Sequence, residues 1–348
     1  MKSTSPKPHP GNFHGVFAAL VTPMKADGEI DCAKLGALAD HLIRQGVHGL
    51  IPLGSTGEYY ALTAGERERV IRAALEAAAG RVPVVAGANA GATRDVIAFS
   101  RQAEQLGCAG VMLAAPYYSL PRPDELFLHF RAVNNAIGIP IMLYNYPART
   151  GVDMRPELIE RLAGLKNLRY VKESTGEMPR ITELLRRCGA RLGVFCGCDT
   201  IALESLMIGA IGWVGGVANV LPASHAKLYE LTVVKKDYVA ARKLFFEMLP
   251  ALELMEGGGK YTQWVKAACA LMGHDCGAPR PPLRPANRAE RAQLRQALST
   301  PLSSVSSARL QRDKSRPLWR GNSQARALTC TTSSGRKSAG VTRAGKFL

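Results

Sequence analysis

Residues 141–172 read IMLYNYPARTGVDMRPELIERLAGLKNLRYVK. An apolar run, Ile141–Tyr144, gives way to a polar loop containing proline and glycine. Apolar side chains at helical spacing follow over Arg155–Leu162, and a second short run, Tyr170–Lys172, closes the unit. Short apolar runs bounded by turn residues read as strands, and a strand–helix–strand order joins two parallel strands. The same alternation recurs in both directions. Upstream lie the runs Val16–Leu20, Gly49–Leu53, Val84–Ala86 and Val111–Ala114; downstream lie Gly193–Cys196 and Trp213–Val214. Helical patterns separate them at Cys32–Gln45, Glu66–Ala79, Thr93–Gln105, Asp124–Ala136, Arg180–Arg187 and Thr200–Met207. Eight strands predict a (β/α)8 TIM barrel, for which about 250 residues is usual. The competing fold is an open, doubly wound parallel sheet, which carries a glycine-rich phosphate loop after its first strand. Here that loop reads Val21-Thr22-Pro23-Met24.

The barrel is expected over residues 15–222, after an N-terminal extension, 1–14. A C-terminal helical region, 223–299, follows, with patterns at Ala223–Thr232, Tyr238–Glu256, Thr262–Met272 and Ala289–Leu298. Residues 300–348 are rich in Ser, Thr, Arg and Gly without apolar periodicity, which predicts a disordered basic tail.

The formal net charge of the 348 residues is +17. The tail holds ten Lys or Arg against one acid, Asp313, and so supplies +9, leaving +8 for the body. A moderately basic body suits an anionic small molecule and does not call for nucleic acid. No apolar stretch is long and unbroken enough for a membrane span: Leu206–Pro222 is interrupted by Gly209, Gly212, Gly215 and Gly216. The N-terminus has no apolar signal region, and eight scattered cysteines without a C-x-x-C pair read as reduced thiols. The expectation is a cytoplasmic enzyme, without metal or separate cofactor.

In such a barrel the chemistry sits at the C-terminal ends of the strands. Lys172 ends one run. Burial would favour its neutral amine, which Schiff-base formation needs; a lysine reaching the rim to form a salt bridge fits the position equally. Tyr144 ends another run and could shuttle a proton or simply fill the core. Arg149, five residues on, could clamp a carboxylate or make a surface ion pair. The turn Gly54-Ser55-Thr56-Gly57-Glu58 offers amides and hydroxyls to an anion. Tyr117-Tyr118 follows the fourth run, where aromatics serve packing or catalysis.

Together these segments resemble the dihydrodipicolinate synthase / N-acetylneuraminate lyase family of class I, Schiff-base aldolases, from about Gly15 to Leu298. The resemblance rests on Ala19-Leu20-Val21-Thr22-Pro23, Gly-Ser-Thr-Gly-Glu (54–58), Pro-Tyr-Tyr (116–118), Tyr-Asn-x-Pro-x-Arg-Thr-Gly (144–151), Val-Lys-Glu-Ser (171–174), Gly-Cys-Asp (197–199) and Gly-Val-Ala-Asn (216–219). It implies that Lys172 forms an imine with pyruvate or another 2-keto acid and that Tyr144 is the general acid/base. It makes Thr56 the relay partner of Tyr144, and Tyr118 a residue inserted by a neighbouring subunit, hence a homo-oligomer, dimer or tetramer. The Ser55 and Thr56 amides would hold the keto-acid carboxylate, Arg149 a second carboxylate, and Gly197 and Val214 would line the pocket.

The same intermediate supports addition, cleavage or dehydration. The synthase branch, condensing pyruvate with the aldehyde aspartate semialdehyde, is the leading expectation, and Arg149 supports it. A 2-keto-3-deoxy sugar-acid aldolase or dehydratase is the alternative, favoured by Gly257-Gly258-Gly259-Lys260-Tyr261-Thr262-Gln263-Trp264 in place of a proline-rich stretch. A binding barrel without catalysis is the third. Tyr59 and Tyr60 replace small residues of lysine-biosynthetic members, and Gly91 stands where lysine-inhibited members carry asparagine.

Overall fold

The computed structural model describes residues 12–299. The expected disordered tail, 300–348, lies outside the described residues, as do residues 1–11. Eight strands, β1 Gly15–Ala19, β2 Gly49–Ile51, β3 Val85–Gly87, β4 Gly110–Ala114, β5 Ile141–Asn145, β6 Leu168–Glu173, β7 Gly193–Cys196 and β8 Gly212–Gly215, form one parallel sheet. The sheet order runs β2-β1-β8-β7-β6-β5-β4-β3, and a parallel bridge between Leu50 and Val84 joins the two ends. The sheet is therefore closed into a (β/α)8 barrel.

The apolar runs locate each strand to within a residue or two. β6 starts earlier than its run: Leu168 is buried in the layer against the helices, Arg169 reaches solvent, and a register shift at Ile141/Met142 leads on to Tyr170 inside the barrel. Around the sheet lie α1 Cys32–Arg44, α2 Ala64–Ala78, α3 Thr93–Leu106, α4 Pro123–Ala136, α5 Pro147–Thr150, α6 Pro156–Leu162, α7 Met178–Cys188 and α8 Ala202–Met207. Local chemistry sets their starts. Asp31 caps α1, and Thr63 and Glu66 form a reciprocal capping box on α2. Pro147 opens α5, a single helical turn in a segment that reads as loop from sequence. Beyond β8 come α9 Pro222–Tyr229, a π-helical turn Glu230–Val234, α10 Tyr238–Gly257, α11 Tyr261–Leu271 and α12 Arg288–Leu298.

Two apolar layers hold the fold. Between strands and helices, residues such as Leu42, Leu50, Phe130, Ile159 and Leu252 are buried, each contributing about 1.5–3 kcal/mol by leaving water. Inside the barrel, Phe17, Ile51, Val85, Met112, Met142, Tyr170, Phe195 and Val214 fill the cross-section. Phe13 closes the N-terminal end: its ring stacks on Tyr170 at 4.7 Å, and its N–H donates to the Tyr170 hydroxyl at 2.9 Å. The segment after α11 crosses back over α2, where the Arg280 side chain binds the Glu66 carboxylate and the Ala61 and Gly28 carbonyls. The reactive side chains are thus confined to the open, C-terminal mouth.

Candidate active site

Alternation along β6 turns Tyr170 and Lys172 inward. Lys172 pairs in register with Tyr144 on β5 and with Phe195 on β7. Its Nζ lies 4.3 Å from the centre of the Tyr144 ring, and the side chain is buried. Glycine at 197 makes this possible, because a Cβ there would stand 2.9 Å from Lys172 Cε and 1.9 Å from Ser174 Oγ. Burial lowers the pKa of Lys172, opposed by the nearby Asp199 carboxylate and more weakly by Cys198, Tyr146 and Cys196. Among the described residues Lys172 makes no ion pair, so the rim salt bridge is not what it forms. The adjacent Glu173 accepts a hydrogen bond from Asn145 Nδ2 at 3.0 Å.

Tyr144 is also buried, which raises its phenol, and a hydrogen bond with the Ser55 hydroxyl acts in the opposite sense. Ser55, next to Thr56 on the turn, is the hydroxyl that acts on the phenol, and Thr56 lines the same cavity. Neighbouring side chains on a tight turn diverge, and the motif alone does not say which one meets the phenol. The turn is held firmly. Leu53 (φ 62°) and Glu58 (φ 57°) both adopt left-handed backbone, a costly conformation that surrounding contacts must sustain. The Thr22 hydroxyl donates to the Gly57 carbonyl at 2.7 Å, and Thr262 approaches the Ser55 carbonyl at 3.5 Å.

A cavity of about 370 Å³ opens over these groups. Ser55, Thr56, Tyr144, Arg149, Lys172, Gly197 and Val214, all expected at the site, line it. Arg149, on α5 at the mouth, opposes the upward shift that burial gives the Tyr146 phenol. Tyr118 is not brought to the cavity. It is 95% exposed with φ 72°, and its neighbour Tyr117 lines the wall instead. A larger cleft of about 780 Å³ lies at the other end of the barrel, near Arg169, Gly193 and Ile211, away from this chemistry.

Several lining residues carry no role in the sequence reading. Tyr59, Tyr60, Tyr146 and Tyr261 give the cavity aromatic walls, and Glu256 and Gln263 add polar groups. The Ser174 hydroxyl, beside Lys172, has no hydrogen-bond partner among the described residues. Asp199 lies behind the wall, bonded to Tyr261. Only Asp199 had a usable signal, three residues past β7 at the reactive end of the barrel. Among the described residues there is no cluster of His, Cys, Asp and Glu fit to hold a metal, and no helix long and apolar enough to cross a membrane. The chemistry available is that of a buried amine with a hydroxyl acid/base beside it and a cation at the entrance.

Comparison with known proteins gives a consistent result. The model of the dihydrodipicolinate synthetase family matches residues 12–301. A 4-hydroxy-tetrahydrodipicolinate synthase of Syntrophobacter fumaroxidans is 39% identical over 289 residues, covering 82% of this chain and 98% of that one. The crystal structure of dihydrodipicolinate synthase from Aquifex aeolicus superposes with a TM-score of 0.78 at 32% identity, covering 84% of this chain and all (100%) of that one. The chloride-inhibited enzyme from Acinetobacter baumannii, complexed with pyruvate, superposes with a TM-score of 0.79 at 32% identity, covering 82% of this chain and 98% of that one.

Proposed function

Since this chain belongs to the dihydrodipicolinate synthetase family, we propose that it condenses pyruvate with aspartate semialdehyde through an imine on Lys172. It is a class I, Schiff-base lyase of the aldolase type. The observation that carries the residue assignment is the register pair on β5 and β6, which sets the Lys172 amine against the Tyr144 ring at 4.3 Å inside the cavity.

Burial favours the uncharged amine of Lys172, whose lone pair adds to the keto carbon of pyruvate. The carbinolamine oxygen leaves as water after taking a proton from the Tyr144 hydroxyl, which Ser55 supports. The resulting iminium draws electrons from the adjacent methyl carbon. That carbon gives up a proton to the Tyr144 oxygen, which restores the phenol, becomes an enamine and attacks the aldehyde carbon. Amides at Ser55 and Thr56 receive the pyruvate carboxylate, and Gly197 and Val214 border the same space. Arg149, at the entrance, takes the carboxylate of the second substrate. Tyr118 completes the relay from a neighbouring subunit, which makes the working form at least a dimer; its near-complete exposure in one chain supports that role.

The test is borohydride reduction in the presence of pyruvate, followed by peptide mass spectrometry, with a coupled assay for the second substrate. A reduced pyruvyl adduct on the Lys172 peptide and turnover with aspartate semialdehyde are expected. An adduct with turnover only of a 2-keto-3-deoxy sugar acid moves the enzyme to that branch. No adduct on folded protein rejects the mechanism.

A further inference from the structure

We propose that Tyr261 and Asp199 form a second proton relay in this cavity, serving the oxygen of the second substrate while Tyr144 and Ser55 serve the imine. The inference rests on the Schiff-base reading above and assigns a separate step of it.

Tyr261 opens α11 and lines the cavity. Its hydroxyl donates to Asp199 Oδ2 and accepts from the Gly216 N–H at 2.9 Å. The fit is close: a Cβ on Gly216 would stand 2.5 Å from the Tyr261 ring. Asp199 Oδ1 accepts from Trp213 Nε1 at 3.0 Å, and the Trp213 ring is stacked on His225 at 4.0 Å. The Asp199 carboxylate is thus fixed through both oxygens. It is 1% exposed and does not line the cavity, so Tyr261 is its route to a substrate.

A tyrosine needed only for packing does not require a buried acid behind it, and a buried acid is costly. The groups facing Asp199 make it costlier. Glu256, on α10, binds the Asp199 and Thr200 backbone N–H groups at 3.2 and 2.9 Å, bringing a second carboxylate alongside. Lys172 on β6 and hydrogen bonds from Tyr261 and Trp213 act in the other direction. Burial, with Glu256 next, raises the Asp199 pKa to about 7, where a carboxyl group both stores and releases a proton. Tyr144 and Tyr261 therefore have different partners, Ser55 and Asp199, and do not compete for one proton.

In the addition step the enamine carbon bonds to the aldehyde carbon, and the C=O π pair moves onto oxygen. When Asp199 carries its proton it donates to the Tyr261 oxygen and frees the Tyr261 hydroxyl for the substrate. The substrate oxygen takes that hydroxyl proton, and the Tyr261 oxygen takes the one from Asp199. Asp199, left as carboxylate, is reprotonated from solvent in the cavity through Tyr261. Cleavage runs the same transfers in reverse.

The experiment compares wild type, Tyr261→Phe and Asp199→Asn as full chains, reading pyruvate trapping, kcat and KM for each substrate, and the pH profile of kcat. Asn keeps an acceptor for Trp213, and Phe keeps the ring. Both variants should trap pyruvate on Lys172 as wild type does, with kcat lowered by about 10²-fold and an unchanged KM for pyruvate. Asp199→Asn should also remove an ionisation near neutral pH from the profile. A kcat for Tyr261→Phe within about threefold of wild type overturns the relay. So does parallel loss of trapping and kcat, which would place the pair behind Lys172 instead. Absence of an adduct in the wild type would show that the Schiff-base reading itself had failed, and the relay with it.

Discussion

Lys266, in the middle of α11, meets Glu58 at 2.6 Å, and both side chains are sealed from solvent. Lys266 Nζ also donates to the Ala278 carbonyl at 3.1 Å, and Glu58 accepts the Arg280 N–H at 2.8 Å. Glu58 ends the turn that carries Ser55 and Thr56, so the appended helices grip the reactive turn directly. Removing one partner of a buried pair leaves the other charge uncompensated and costs about 3–5 kcal/mol. Lys266→Met should therefore lower the urea midpoint strongly, and Glu58→Gln/Lys266→Met should recover most of the loss. A double variant as unstable as the sum of the singles would exclude coupling.

Lys172→Ala should leave folding intact, since it removes a buried amine with no ion-pair partner among the described residues. Trapping with pyruvate should vanish and kcat should fall by a factor on the order of 10³ or more. Near-normal turnover in this variant would mean that the amine is not the nucleophile.

Ser55 and Thr56 should separate kinetically. Ser55→Ala removes the hydroxyl bonded to Tyr144, so kcat should drop by about 10²-fold, near the effect of Tyr144→Phe. Thr56→Val keeps the backbone amide and that hydrogen bond, and its effect should fall mainly on KM for pyruvate. Steady-state kinetics of the three variants decide it, and the opposite ranking would make Thr56 the relay partner.

Asp199 also leaves a mark on stability. Its carboxyl, ordinarily near 3.8, is raised to about 7 in the fold. Between those values the folded protein keeps a proton that the unfolded chain has released, so this contribution to stability falls as pH rises through the window. Asp199→Asn should gain stability over wild type progressively from about pH 4 to pH 7. Urea midpoints at several pH values measure this; a constant offset would contradict it.

Lysine should not inhibit this enzyme. Gly91 has no side chain to offer, and a Cβ built there meets no neighbour within 4 Å. Two residues earlier, the Asn89 carbonyl is taken by the buried Arg67 guanidinium at 3.0 Å, which also lies 4.2 Å from the Phe99 ring. A fixed cation there disfavours a second ammonium. Calorimetry with lysine should give no isotherm; tight binding would refute this.

The sequence made the fold legible because the strands, apart from Arg169 on β6 and the half-buried Gly193 on β7, are buried on both faces and stand out as short apolar runs between helical patterns. Lys172, Tyr144 and Arg149 were legible for a related reason: they end strands or follow them closely. Which of two adjacent turn residues meets a phenol depends on backbone angles that the motif does not encode, so the motif points to Ser55 and Thr56 together without dividing their roles. Tyr261 was hidden for another reason. It lies 62 residues from Asp199 along the chain, and only the packing of α11 over the barrel mouth brings the two together.

The stacked rings of Phe13 and Tyr170 also govern traffic. With the far end of the barrel stoppered, molecules enter and leave through the same doorway, between Arg149 and the half-exposed Tyr60. Lys172 stands at the back of this blind alley. Whatever reacts with the amine must pass the groups at this one mouth, Arg149 and Tyr60 among them, and leave past them again.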